Sequence, residues 1–175
     1  MVLIFISGCL FTCGDNPAGP ATVPAEMPPD FAVQQVFASG TVSPPYYFAY
    51  NIFLSAVTSD SIVFHCDYID GGSYDPPIWT YGFDAAESDL DDLYQLMRKQ
   101  QAFRDEWDEI EDPPVGGSTR RLVIMVNKHE FEVPYWPENP APLDTVYTYI
   151  NSLVPSEIWD TLWARQDHYI TDHTQ

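Results

Sequence analysis

The sequence predicts an α+β domain in which a mostly antiparallel sheet packs against helices on one of its faces. Two observations support this fold class. Runs of alternating apolar and polar residues, typical of strands, dominate the first half of the chain, and most of the helical periodicity follows them. Strands followed by helices are typical of an antiparallel sheet whose helices collect on one face. The chain has 175 residues, of which 45% are hydrophobic, so it can form one packed core.

Four strands are predicted before residue 84. The apolar side chains of each run recur at alternate positions, with Gln35 as the exception in the first run, so that one face is mostly apolar: 31–37, 46–56, 61–69 and 78–83. In the last run, Trp79, Tyr81 and Phe83 share a face. The tripeptide Asp70-Gly71-Gly72 predicts the turn that ends the third strand, because these residues tolerate positive φ angles.

The period then changes, and the sequence predicts a helix followed by a β-hairpin. Ser88 and Asp91 have the spacing of a capping box, and the amphipathic stripe that follows them runs to about Phe103. Alternation over residues 122–133, interrupted at 127–128, predicts two strands joined by a tight turn.

The C-terminal region predicts one helix broken into two pieces. Pro142 suits a first helical turn, Pro155 interrupts the apolar stripe, and Ser156 can start the second piece. The stripe continues to about Tyr169, and residues 171–175 are predicted to form a frayed tail. The predicted order is therefore four strands, a helix, a β-hairpin and a broken C-terminal helix.

The chain opens with a short apolar run that ends in Ile6-Ser7-Gly8-Cys9. This motif resembles the lipobox of bacterial lipoproteins, in which the cysteine is acylated and becomes the new N-terminus. The resemblance implies a lipid anchor on Cys9 and a place at the bacterial cell envelope, facing the periplasm or the exterior. The run is shorter than a usual signal sequence and no basic residue precedes it, which predicts that translation starts upstream. The alternative is an apolar first strand.

These patterns predict the organisation of the chain. Residues 1–9 form a leader, 10–30 a proline-rich tether, and 31–170 a single domain. Cys66 falls on the apolar face of a strand, which favours a buried and inert thiol. A disulfide between Cys66 and Cys13 is the alternative outside the cytosol.

The domain itself carries three further local motifs, Phe103-Arg104-Asp105-Glu106-Trp107, Gly116-Gly117-Ser118 and Pro155-Ser156-Glu157-Ile158-Trp159. With the predicted element order, they resemble uncharacterised bacterial lipoproteins and secreted domains. The likeness covers most of residues 31–169. It implies the compartment and the fold, and it supplies no activity.

The excess of acidic residues indicates which classes of partner the protein can bind. The formal net charge is −19, which argues against nucleic acid or an anionic membrane surface as the main partner. One long connection is especially acidic and predicts a surface for a basic protein partner: Asp105, Glu106, Trp107, Asp108, Glu109, Glu111 and Asp112. Within it, Trp107 and Ile110 are predicted to anchor the loop to the domain. The alternative is that the acidic residues serve solubility alone.

Three aromatic residues support a different hypothesis. Most aromatic residues fall at positions that the apolar pattern assigns to the core. This assignment is less clear for Trp79, Tyr135 and Trp136. Exposed tryptophan and tyrosine side chains stack on sugar rings, so a carbohydrate-binding module is the alternative function. The other interpretation is that these aromatic side chains fill the core.

The sequence favours a non-enzymatic protein without a cofactor or a metal site. Neither a nucleophile elbow nor a phosphate-binding glycine loop is present, and the cysteine and histidine spacings do not match a zinc site. The acidic clusters lack calcium-loop spacing, and solvated loops are the preferred interpretation. A hydrolase that uses two converged carboxylates is a third hypothesis, for which no catalytic pair can be named.

Overall fold

The structure of the protein is a computed structural model that describes residues 23–40, 46–68, 77–112, 117–138 and 140–173. The predicted leader, Cys9, Cys13 and the first part of the tether lie outside the described residues. So does the predicted turn at Asp70-Gly71-Gly72.

The predicted α+β class is confirmed: a six-stranded antiparallel sheet packs with three helices in the described part of the protein. The elements in sequence order are β1 Ala32–Ala38, β2 Tyr46–Ser55, β3 Asp60–Tyr68, β4 Ile78–Phe83, α1 Glu87–Lys99, β5 Thr119–Val126, β6 His129–Val133, α2 Ala141–Leu153 and α3 Ser156–His173. None of these helices is long and apolar enough to cross a bilayer.

The sheet order is β4-β3-β2-β1-β5-β6, so the first strand lies inside the sheet. Val33 of β1 is opposite Leu54 of β2 on one side and opposite Ile124 of β5 on the other. The hairpin formed by β5 and β6 therefore joins the sheet at β1, far from β4. The position of the candidate site depends on this pairing, because β4 and β6 become opposite edges.

All three helices cover the same face of the sheet. The inner face carries the alternating apolar residues of the strands, and Ile52, Phe64 and Leu122 are fully buried there. Leu93 of α1 and Ile150 of α2 are also fully buried. Together with the strand residues they form one hydrophobic core, which removes most of the predicted apolar side chains from water. Cys66 is also fully buried on this face, as its place in the pattern predicts.

The start of α1 differs from the prediction. The helix begins at Glu87, its N-cap is Ala86, and it has no side-chain cap, so the capping box at Ser88 and Asp91 is wrong. Ser88 lies inside the first turn, where its hydroxyl group is not placed to accept the unpaired backbone N–H groups. The helix ends at Lys99, because Gln101 takes a left-handed conformation with φ of 55° that redirects the backbone.

The folded part of the protein begins earlier than predicted. Residues 23–30 belong to the predicted tether, yet they pack against α1. The hydroxyl group of Tyr94 donates a hydrogen bond to the carbonyl of Pro24 at 2.8 Å, and Arg98 donates one to the carbonyl of Ala25 at 2.9 Å. Met27 packs against the core. The predicted boundary at residue 31 is therefore wrong, and the domain includes residues 23–30.

The C-terminal boundary also moves. The second helical piece, α3, continues through His173, so residues 171–173 of the predicted frayed tail are helical. Pro142 lies in the first turn of α2, and Pro155 separates α2 from α3, as predicted.

The side chain of Asp30 binds the turn between β5 and β6, and this contact can be tested by mutation. Its carboxylate accepts hydrogen bonds from the backbone N–H groups of Asn127 at 2.9 Å and Lys128 at 2.8 Å, which form the hairpin turn with φ angles of 52° and 63°. We expect Asp30→Ala to lower the free energy of unfolding by about 1–2 kcal/mol, because two backbone donors lose a charged acceptor. Urea unfolding measures the change. Asp160→Ala on the exposed face of α3 is the control, and an equal effect of both variants would contradict the role of Asp30.

Candidate functional site

The acidic loop is joined to the segment that carries Tyr135 and Trp136. The backbone N–H of Ile110 donates to the carbonyl of Trp136 at 3.1 Å, and that of Glu138 donates to the carbonyl of Asp108 at 2.8 Å. Glu109 and Pro137 thereby form an isolated antiparallel bridge. Residues 108–111 and 135–138 therefore form one continuous region, which we call the acid–aromatic surface. The sequence had indicated two unrelated sites.

The beginning of the acidic loop is fixed to the domain by side chains. Asp105 Oδ1 lies 2.7 Å from Nε2 of His129, on the hairpin. The guanidinium of Arg104 lies 4.5 Å from the centre of the Trp107 ring, and Trp107 is half-buried against the core. Trp107 is therefore an anchor, as predicted.

Ile110 does not anchor the loop in the predicted way. Its side chain is 39% exposed and lines a cavity beside the loop. The carboxylate side chains of the loop are exposed to water, as its sequence suggests: Glu106, Asp108, Glu109, Glu111 and Asp112. The prediction that Ile110 holds the loop to the core is wrong, because the backbone bridge to Pro137 performs that task.

The cavity has a volume of about 340 Å³ and lies between the acid–aromatic surface, the beginning of β5 and the first turns of α2. Its apolar walls come from aromatic, proline and aliphatic side chains: Ile110, Tyr135, Trp136, Pro137, Pro140 and Tyr147. Its polar groups come from Ser118, Arg120 and Asp144. A mostly apolar concave site with a few polar groups is typical of a ligand-binding site.

Arg120 is the cation of this cavity. It is on the inner face of β5, where its guanidinium lies 5.3 Å from the Tyr147 ring and 5.9 Å from the Phe37 ring. One guanidinium nitrogen lies 3.3 Å from Asp144 Oδ1. The side chains of Arg120 and Asp144 are 37% and 68% exposed, so this ion pair contributes little to stability.

Sequence reasoning missed Arg120, Asp144 and Tyr147. The sequence could have identified Arg120, because it is two residues before Leu122 and therefore lies on the same, apolar face of the strand as Leu122 and Ile124. A charged residue on a core-facing position indicates either a partner or a cavity. Asp144 gave no comparable signal, because it lies on a helical first turn where acidic residues are common.

Tyr147 leads to a prediction about alkaline pH. Burial raises the pKa of its phenol well above the ordinary value, and the Arg120 charge offsets this effect only in part. Above pH 10 the unfolded protein releases this proton while the folded protein keeps it, so stability falls as pH rises. We expect Tyr147→Phe to reduce this loss by about 1.4 kcal/mol per pH unit above pH 10. Urea unfolding between pH 9 and 11 tests this, and identical slopes for both proteins would contradict it.

The structure separates the three aromatic residues of the carbohydrate hypothesis. Trp79 lies on the edge strand β4, where it stacks on Phe64 with ring centres 5.9 Å apart. Tyr135 and Trp136 follow β6, at the opposite edge of the sheet. Five strand spacings of about 4.8 Å separate the two edges, so a single row of the three residues is wrong. Tyr135 is 41% exposed and lines the cavity together with Trp136.

No group of three or more histidine, cysteine, aspartate or glutamate residues is arranged to hold a metal ion in the described ranges. No protein-family model matches the sequence, and no curated protein matches it. The acid–aromatic surface and its cavity are therefore the features of the molecule that indicate a function.

Proposed function

We propose that this protein is a non-enzymatic, lipid-anchored domain of the bacterial cell envelope that binds a basic protein segment at the acid–aromatic surface. The observation that carries the proposal is the backbone bridge between Glu109 and Pro137, which places the carboxylates beside an aromatic cavity. The anchor is the acyl group on Cys9 that the lipobox-like motif implies. A lipid attachment to the envelope and a binding surface on the folded domain are the two parts of the proposal.

The chemistry of the surface favours a protein partner. Protein interfaces combine a central apolar or aromatic anchor with a polar rim, and tryptophan and tyrosine often contribute most of the affinity. Here Trp136 and Ile110 supply the apolar centre, while exposed Asp108, Glu109 and Glu138 supply an acidic rim. A protein with a net charge of −19 attracts a basic partner at long range.

The loop is held in place before any partner arrives. Two backbone hydrogen bonds, one from Ile110 and one from Glu138, fix its distal part. The contact of Asp105 with His129 fixes its beginning. A surface that is already ordered loses little conformational entropy on binding, so more of the contact energy is available as affinity.

A carbohydrate ligand is the second candidate. Tyr135 is exposed and lines the same cavity as Ser118 and Asp144, so a sugar ring can stack on its aromatic face while the sugar hydroxyl groups contact polar side chains. The hydrolase hypothesis requires two carboxylates separated by about 5–10 Å. Among the described residues that line the cavity, Asp144 is the single carboxylate.

The binding proposal is tested with an amidated ten-residue peptide that contains lysine and arginine around a central leucine. Its dissociation constant is measured by fluorescence anisotropy at low and high salt. The site variant removes three loop charges: Asp108→Asn, Glu109→Gln and Glu111→Gln. The matched control removes three exposed charges elsewhere in the domain: Asp92→Asn, Asp160→Asn and Asp167→Asn.

We expect the site variant to bind the peptide about tenfold more weakly than the wild type, with a smaller salt dependence. The control variant should change the affinity less than twofold. Equal weakening in both variants would indicate attraction to net charge alone and would contradict the proposed site. An undetectable interaction with the wild type would also contradict it, and salt-independent binding of neutral oligosaccharides would favour the carbohydrate alternative.

A further inference from the structure

We infer that the basic segment is the carboxyl terminus of the partner protein, whose terminal carboxylate binds Arg120 and whose last apolar side chain enters the cavity. This inference rests on the proposed function and specifies the part of the partner that is recognised. It follows from Arg120, which is the single cation among the described residues that line this mostly apolar cavity, next to an acidic rim.

The guanidinium of Arg120 is oriented but has few hydrogen-bond partners. The rings of Tyr147 and Phe37 lie within 5.3 and 5.9 Å of it and restrict its position. Asp144, at 3.3 Å, is its one hydrogen-bond partner in the described part of the protein. A guanidinium has five N–H donors arranged as a fork, which matches the two oxygens of a carboxylate. Arg120 therefore has donors available for a bidentate carboxylate ligand.

Asp144 does not block this interaction. Its side chain is 68% exposed, and it forms one long contact with the guanidinium rather than a bidentate pair. An exposed pair of this kind contributes about 0–1 kcal/mol, so an incoming carboxylate can replace it at little cost. The displaced Asp144 remains in water and leaves no buried charge behind.

The charge of the protein determines which carboxylate is suitable. With a net charge of −19, the field around the domain repels a small free acid. A basic C-terminal segment avoids this problem because its lysine or arginine side chains interact with Asp108, Glu109 and Glu111. Arg120 and Ile110 line the same cavity. An extended peptide spans about 3.3–3.6 Å per residue, so basic residues a few positions before the terminus can lie at the loop that carries Ile110. The same peptide thus satisfies both Arg120 and the acidic rim.

The shape of the cavity is consistent with the end of a peptide. Its volume of about 340 Å³ is near the lower limit for sites that bind small molecules. Tyr147 and Trp136 provide aromatic walls for one apolar side chain, and Ser118 lines the same cavity with its hydroxyl group. A site of this size accommodates a terminal residue, while the rest of the segment lies along the acid–aromatic surface.

The test compares two forms of one basic peptide that ends in leucine, a free C-terminal acid and a C-terminal amide. For the wild type, we expect the acid to bind about tenfold more tightly than the amide, because a bidentate charged contact is lost in the amide. Arg120→Gln should reduce this ratio to less than twofold, because the fork of donors that distinguishes the acid from the amide is gone. Arg120→Lys, which keeps the charge without the fork, should give an intermediate ratio.

Arg165→Gln is the matched control, because Arg165 is an exposed cation that lies over Trp79 at the other edge of the sheet. It should retain the tenfold ratio. Equal affinities of the wild type for the acid and the amide would overturn the inference while the proposed function stands. Failure of both peptides to bind would instead overturn the proposed function. The comparison in the wild type does not depend on whether the Arg120 variants fold.

Discussion

Replacing Asp60 with alanine is expected to lower the free energy of unfolding by about 2–4 kcal/mol. The Asp60 side chain is almost fully buried between the turn that joins β2 to β3 and the segment that leads into α1. Its Oδ1 accepts a hydrogen bond from the backbone N–H of Ser55 at 2.9 Å, and its Oδ2 accepts one from that of Ala85 at 2.6 Å. Alanine leaves both donors without an acceptor, and water cannot reach the site freely.

A graded series tests this role of Asp60. Asp60→Asn keeps one side-chain oxygen of similar shape, so it should lose about half as much stability as the alanine variant. Urea unfolding monitored by tryptophan fluorescence gives both values. A loss below about 0.5 kcal/mol for Asp60→Ala would show that the two hydrogen bonds do not hold the turn.

The second large effect concerns the anchor. The protein is expressed in a bacterium from the full reading frame, including the sequence upstream of Met1. The wild type is expected in the membrane fraction, and the Cys9→Ser variant is expected in the soluble fraction. Two acyl groups give stable attachment because each buried methylene group contributes about 0.8 kcal/mol. Intact-mass analysis should find a diacylglyceryl group on the wild type and none on the variant. Cys13→Ser is the matched control and should remain in the membrane fraction.

The two cysteine variants separate acylation from other causes of membrane association. If Cys9→Ser stays in the membrane fraction, then the attachment does not depend on this thiol. If the wild type has an unmodified Met1 and remains in the cytosol, then the proposed compartment is wrong. Neither result would change the expected binding of a basic peptide, because the acid–aromatic surface belongs to the folded domain.

Most strands and helices were predictable, because the spacing of apolar residues differs between them: about every second residue in a strand and every third or fourth in a helix. The predicted bounds of β4 match the structure, and the positive φ angles of Asn127 and Lys128 agree with the predicted tight turn. The helix start was harder to predict. A capping box is a pattern of residue types, whereas a cap requires a particular backbone conformation, which Ala86 has and Ser88 does not.

The candidate site was only partly predictable, because contacts distant in sequence create it. Alternation identifies β5 as a strand, but it does not show that Val33 pairs with Ile124. That pairing places the cavity beside β5 and separates Trp79 from Trp136. In the same way, the proline content of residues 23–30 indicates a spacer, while the carbonyl groups of Pro24 and Ala25 remain able to accept hydrogen bonds from α1.

Binding of a basic segment at the acid–aromatic surface can be observed residue by residue in an NMR titration of the folded domain. We predict that the amidated lysine- and arginine-rich peptide causes its largest chemical-shift changes at the Ile110 methyl groups, the Trp136 indole and the Ser118 amide. The indole of Trp163, which is partly exposed on α3, is the internal reference and should change little. Largest changes at Trp163 or Trp79, with Ile110 and Trp136 unaffected, would contradict binding at this surface.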